Sequence, residues 1–156
     1  MTSIQRTATQ TVADIMTQNV ESLSPGDTIK EAARLMLNSG LSTIPIVDGH
    51  DHCVGVLSRK DLTEMFLNED DELSKALDSD RLSDEWLNRS VETSQTRLVK
   101  ELMNYEVITI ERNHSISAAC QLMVDSQIHH LPVVDEQDRV IGILSTFDVI
   151  QTVAVA

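Results

Sequence analysis

Residues 12–62 are written again as residues 99–149, at a constant offset of 87 and without a gap. About a third of the aligned positions are identical, among them Met16/Met103, Pro45/Pro132, Asp48/Asp135, Gly55/Gly142, Ser58/Ser145 and Asp61/Asp148. A unit of this size that cannot bury its own apolar face is completed by its twin, so repetition constrains the fold before any single residue does. It also implies paired, pseudo-symmetric clefts where the copies meet. The chain divides accordingly into a tail (1–10), a first repeat (11–66), an insert (67–98) and a second repeat (99–156).

Within each copy the hydrophobic pattern reads strand, helix, hairpin, helix. Val20–Leu23 and Val107–Ile110 are short strand candidates. Thr28 with Glu31 forms a capping box, and Ser115 is the matching N-cap. Ile29, Ala32, Ala33 and Met36 recur at i, i+3, i+4 and i+7, as do Ile116, Ala119, Cys120 and Met123, which gives each helix one buried stripe. The runs Ile44–Val47 and Leu131–Val134 are β-rich, with proline near the start, where a missing N–H does least harm. Asp48-Gly49 and Asp135–Asp138 are turn signals. Val54–Leu57 and Val140–Leu144 return as second hairpin strands, and closing helices begin near Arg59 and Thr146. In the insert, Leu73, Leu77, Leu82, Trp86 and Leu87 predict one or two short amphipathic helices rather than a disordered linker.

Charge narrows the function classes. The 156 residues carry 25 acidic against 12 basic side chains, a net charge of −13. From Glu64 to Glu92 ten acidic residues face only Lys75, Arg81 and Arg89. Such a field disfavours non-specific binding to nucleic acid or anionic lipid. No apolar run approaches membrane-spanning length, and Met1–Gln10 lacks the apolar core of a signal peptide, so a cytoplasmic protein without membrane or nucleic-acid partners is expected. Cys120 aligns with Ala33 on an apolar helical face and reads as a small core residue. His50, His52 and Cys53 lack a second ligand pair at zinc spacing, so no metal site is expected.

The chemistry lies in Gly55-Val-Leu-Ser58-Arg-Lys-Asp61 and Gly142-Ile-Leu-Ser145-Thr-Phe-Asp148, both of the form G-h-h-S-x-x-D with h apolar. A serine before a helix with an acid three residues on resembles a capping box, stabilising by about 1 kcal/mol. The acid is Asp in both copies, and its shorter side chain is expected to reach back less well than Glu. A carboxylate beside a helix N-terminus can instead accept from the two hydroxyls of a ribose, with the serine and the first free N–H groups facing a phosphate. Cap and ligand site both remain open on spacing alone.

The repeat pattern, the h-P-V-V-D hairpin start and the G-h-h-S-x-x-D ending resemble CBS domains, named after cystathionine β-synthase. The two copies resemble a complete tandem CBS pair over about residues 11–66 and 98–153. The resemblance implies an α/β (α+β) fold of two β-α-β-β-α repeats packed with pseudo-two-fold symmetry, and two clefts that in many members bind adenine nucleotides. Carried over, one cleft combines Ser58 and Asp61 with Ile108 and the His129-His130-Leu131 loop. The other combines Ser145 and Asp148 with Glu21 and the Ser42-Thr43-Ile44 loop. Main-chain groups around Ile44 and Leu131 would read the adenine edge, while Val56 and Ile143 would pack on the base. Ile128-His-His-Leu-Pro132 is similar to the I-H-R-L-P stretch that contacts phosphate in the AMP-sensing subunit of an energy-sensing kinase. With Arg59 and Lys60 nearby, the first cleft would then tolerate phosphate, its charge partial and pH-dependent.

The function implied is a non-catalytic sensor: AMP, ADP, ATP or NAD binds between the repeats and shifts a conformational equilibrium read by a separate regulated protein. Apolar residues on the closing helices (Leu62, Met65, Phe66 and Val149, Ile150, Val153) imply a homodimer through those helices. The alternative is an interaction or scaffold homodimer whose clefts are vestigial and whose S-x-x-D motifs are only caps. An enzyme is disfavoured, because no nucleophile–base set and no glycine-rich phosphate loop recurs.

Overall fold

The computed structural model describes residues 10–69 and 96–154. The helices expected in the insert lie outside the described residues. The elements are α1 (Val12–Ile15), β1 (Thr17–Gln18), α2 (Ile29–Ser39), β2 (Thr43–Val47), β3 (Cys53–Ser58) and α3 (Arg59–Glu69). A 3-10 turn at Val99–Glu101 opens the second half, followed by β4 (Ile110–Glu111), α4 (Ile116–Ser126), β5 (His130–Val134), β6 (Val140–Ser145) and α5 (Thr146–Ala154).

The local signals act where the sequence places them. At the start of α2, Thr28 Oγ1 accepts from Glu31 N–H at 3.2 Å, while Glu31 Oε2 accepts from the Thr28 N–H and hydroxyl at 2.8 Å each. Those two bonds, the backbone one foremost, hold the Glu31 carboxyl below its usual range. Ile29, Ala32, Ala33 and Met36 are buried without remainder, and Ile116, Ala119 and Met123 are their counterparts in α4. Cys120 departs from its expected place. It is only half-buried, where Ala33 is fully so, and that partial burial pushes its thiol pKa up. Both helices end in a left-handed residue, Gly40 in α2 (φ 67°) and Gln127 in α4 (φ 55°).

The two compact units do not coincide with the two sequence copies. Of the described residues, one contains those up to Glu21, Gly49–Cys53 and those from Val107; the other contains those within Ser22–Asp48 and Val54–Glu106. Each copy therefore lends its opening segment to the unit built on the other copy. In the first unit β1 pairs antiparallel with β6, β6 with β5, and β5 parallel with β4, giving a four-stranded sheet. β4 reaches only Val133 and Val134, so Pro132 lies beyond its end and its missing N–H costs no ladder bond there. The second unit repeats this plan with reduced edges. β2 and β3 form the hairpin, and the outer strands shrink to the single bridges Leu23↔Ile46 and Val56↔Asn104. The strands expected at Val20–Leu23 and Val107–Ile110 are thus one bridge and one two-residue strand, because only their last residues run alongside a neighbour.

The exchanged segments bring core residues with them. Val12 is fully buried in the cluster around Leu131, Val133 and Leu144, and Val99 is fully buried in the cluster around Ile44, Ile46 and Leu57. The methionine of each exchanged segment seats against the glycine of the opposite copy's motif. A Cβ on Gly55 would stand 2.7 Å from Met103 Sδ, and one on Gly142 would stand 2.6 Å from Thr17 O and 3.1 Å from Met16 Sδ. These glycines are needed for close approach of a neighbouring strand, since neither has a positive φ.

Candidate functional site

Each unit presents one G-h-h-S-x-x-D motif at the junction of a hairpin strand with the helix that follows it. In the second unit Asp61 Oδ2 accepts from Ser58 N–H at 2.7 Å and from Ser58 Oγ at 2.6 Å, and Ser58 Oγ accepts from Asp61 N–H at 3.2 Å. In the first unit Asp148 Oδ2 accepts from Ser145 N–H and Oγ at 2.7 Å each, and Ser145 Oγ accepts from Asp148 N–H at 3.1 Å. Both motifs are closed capping boxes. This corrects the expectation that Asp reaches back poorly. Asp14 on Thr11 and Asp27 on Ser24 make the same contact at 2.7 Å, because a single carboxylate oxygen suffices to take both the N-cap N–H and its hydroxyl. In Asp61 and Asp148 that oxygen is Oδ2, and Oδ1 has no hydrogen-bond partner among the described residues. The cap thus fixes the carboxylate and leaves one acceptor oxygen open.

The loop before the hairpin comes to the same place in each unit. Ser42 O accepts from Arg59 N–H at 2.9 Å, and His129 O accepts from Thr146 N–H at 3.0 Å. In the first unit His130 stands directly across the sheet from Ser145. Burial first, then the neighbouring His129, lower the His130 pKa, while the Asp148 carboxylate opposes them. The family resemblance alone places this basic loop with Ser58 and Asp61. In the fold it lies beside Ser145 and Asp148 of its own repeat, and the Ser42-Thr43 loop lies beside Ser58 and Asp61 of its own.

Ile44 and Leu131 are fully buried, Thr43 and Ile143 nearly so, and Val56 and Ile108 are half-buried. Glu21 is exposed. The Arg59 guanidinium donates from Nε to Leu41 O at 3.2 Å and from Nη2 to Met36 O at 3.1 Å. Lys60 is exposed on α3 and pairs with Glu64 at 3.5 Å. His50 and His52, with ring centroids 5.9 Å apart, share an open pocket with Asp51, Gln137 and Arg139. No group of three or more His, Cys, Asp or Glu among the described residues is arranged to hold a metal ion.

The closing helices differ more than their sequences indicate. On α3, Leu62, Met65 and Phe66 are buried in the core of their own unit together with Val99 and Met103, so the apolar surplus expected there does not exist. On α5 it does: Phe147, Ile150 and Val153 are between 56% and 64% exposed. No helix among the described residues is long and apolar enough to cross a membrane.

The family model of the CBS domain matches residues 12–68 and 99–155. The chain belongs to the CBS-domain family. Its tandem CBS repeats are 25% identical over 138 residues to inosine-5′-monophosphate dehydrogenase of Methanocaldococcus jannaschii, covering 88% of this chain and 22% of that enzyme. The chain spans less than two thirds of such curated relatives, 23% in the case of homoserine O-acetyltransferase of Methanocorpusculum labreanum, to which it is 29% identical over 136 residues and 87% of its own length. Among solved structures it is similar in fold to CBSX2 of Arabidopsis thaliana in complex with AMP, at 23% identity and a TM-score of 0.69, covering 92% of this chain and 96% of that one. It is similar to the same degree to the CBS domain pair of protein MJ0100 in complex with 5′-methylthioadenosine and S-adenosyl-L-methionine, at 22% identity and a TM-score of 0.69, covering 91% and 94%.

Proposed function

We propose that the chain is a non-catalytic regulatory module that holds an adenine nucleotide on its S-x-x-D motifs and passes the binding event to a partner protein. The observation that carries this reading is the pair of capped carboxylates, each with one oxygen bound in the box and Oδ1 open. A ribose diol needs a fixed anionic acceptor, and a carboxylate locked by its own cap has little freedom left to lose on binding. That CBSX2 and MJ0100 were solved with adenosine-containing ligands supports the ligand class. The loop before each hairpin, which runs beside its own repeat's motif, supplies the next part of each site. Calorimetry with AMP, ADP, ATP, NAD and S-adenosylmethionine tests the proposal. At least one should bind the wild type, and Asp61→Asn or Asp148→Asn should weaken it about tenfold, the value of one hydrogen bond to a charged group. A wild-type chain that binds none of them defeats the reading and favours a scaffold with vestigial clefts.

Phosphate is assigned to the motif at Ser145 and Asp148, since His129 and His130 lie beside it. Self-association is assigned to α5. That helix holds a single charged residue, Asp148, which is engaged in the cap, so its apolar face is where two copies of net charge −13 approach with least repulsion. Sedimentation should show a wild-type dimer that Ile150→Lys converts to monomer; a monomeric wild type refutes the assignment.

A further inference from the structure

The two repeats close equivalent helix ends by different means. In the second repeat the carbonyl of Met123, in the last turn of α4, is taken up by the backbone, which donates from Gln127 N–H and from Ile128 N–H at 3.0 Å. In the first repeat the equivalent carbonyl, Met36 O, accepts from a side chain 23 residues away, Arg59 Nη2. The same guanidinium donates from Nε to Leu41 O, one residue before the loop that runs beside the motif. Its backbone N–H donates to Ser42 O. Arg59 directly follows Ser58 and is the first residue of α3. One residue therefore ties together the end of α2, the Leu41–Ser42 loop and the helix start that carries Asp61. Thr146, at the same position of the second repeat, has no side chain able to do this.

We propose that Arg59 is a positioning residue: it sets the Ser58–Asp61 motif against the Ser42–Thr43 loop and does not touch the ligand's phosphate. Its planar fork meets two carbonyls at once, a geometry that a lysine ammonium on a flexible stem does not reproduce. A positive charge at the C-terminal end of α2 also complements that helix's dipole, so the side chain is held where it is by more than its two hydrogen bonds. The inference deepens the proposed nucleotide reading and rests on it for its ligands.

The test compares AMP with adenosine, which differ only in the phosphate. In an Asp148→Asn background, which leaves the Ser58–Asp61 motif as the one read, Arg59→Gln should weaken both ligands by the same factor, about tenfold for loss of a charged hydrogen-bonded tie. Arg59→Lys should fail to restore either. Weakening of AMP alone, rescued by Arg59→Lys, makes Arg59 a phosphate ligand and overturns the proposal, as does unchanged binding of both. Amide exchange at Arg59 and Asp61 gives a reading that needs no ligand. It should accelerate in Arg59→Gln and Arg59→Lys and stay as in wild type in Thr146→Ala. If the wild type binds neither ligand, the nucleotide reading fails, while unaltered exchange in the Arg59 variants separately refutes the positioning role.

Discussion

Gly142→Ala should be among the most damaging single-methyl additions in this chain, and Gly55→Ala, its repeat-related counterpart, should be mild. The added Cβ at Gly142 meets Thr17 O at 2.6 Å. That oxygen belongs to the backbone of β1, whose two residues are paired with Gly142 and Ile143, so it retreats only if the strands separate. At Gly55 the nearest atom is Met103 Sδ at 2.7 Å, the end of a flexible side chain, with Asn104 O already 3.3 Å away. Overpacking a well-filled site costs about 1–3 kcal/mol and more where backbone must move. Replacing a strand glycine gives back about 0.5–1 kcal/mol by restricting the unfolded chain. The expected net cost is therefore about 3 kcal/mol for Gly142→Ala and about 1 kcal/mol or less for Gly55→Ala. In a chain of this size that is a drop in Tm of roughly 9 °C against 3 °C. Urea unfolding of both variants measures the difference, and double-mutant cycles identify its origin. Gly55→Ala should cost nothing further in a Met103→Ala background, where the obstructing sulfur is gone. Gly142→Ala should keep most of its cost in a Met16→Ala background, where the Thr17 carbonyl remains. Equal costs for the two alanines, or full relief of Gly142→Ala by Met16→Ala, would show that side-chain crowding and not the exchanged strand demands the glycine.

Two further outcomes follow from the repeat comparison and from the site. Gln127 holds the left-handed position that Gly40 holds in the first repeat, and a Cβ on Gly40 would meet nothing within 4 Å. Gln127→Gly should stabilise by about 0.5–1 kcal/mol and Gly40→Ala destabilise by about 1 kcal/mol, both read from urea midpoints. His130, lowered by burial and by His129 against the pull of Asp148, protonates at lower pH in the folded chain than in the unfolded one. The unfolded state then binds more protons as the pH falls through the ordinary histidine value, so stability declines there and levels off once folded His130 is also charged. His130→Gln should flatten that decline in midpoints measured from pH 7.5 to 5; an unchanged slope rejects His130 as its source. The loss tied to the depressed carboxyls of Asp14 and Glu31 belongs to a separate, more acidic window.

What the sequence disclosed was whatever neighbours in the chain decide. The stripe Ile29, Ala32, Ala33, Met36 and the caps at Thr28 and Ser115 define α2 and α4 within a dozen residues, and the turns at Asp48 and Asp135 define the hairpins. The exchange of opening segments left no such mark. Val12 and Val99 align with each other, but nothing in a repeated pattern says which copy's core receives them. Leu62, Met65 and Phe66, apolar enough to imply an interface, share a buried cluster with the exchanged Val99 and Met103 instead. For the site, the S-x-x-D spacing revealed both motifs. Pairing each motif with a loop depended on sheet register, which the resemblance did not carry. The role of Arg59 was hidden because an arginine near a candidate anion site and an arginine capping a distant helix are the same letter.

The exchanged segments also order events during synthesis. Every described residue of the unit ending at Glu106 has left the ribosome when Glu106 does, including Val99 and Met103, so that unit can close while the rest is still being made. The other unit cannot. Its first strand, Thr17–Gln18, pairs with Gly142 and Ile143, which follow only after the whole of the unit ending at Glu106. Val12, Met16 and the backbone of β1 must therefore wait unpaired until the second repeat has been made, a long loop closure that makes this the slower half to assemble.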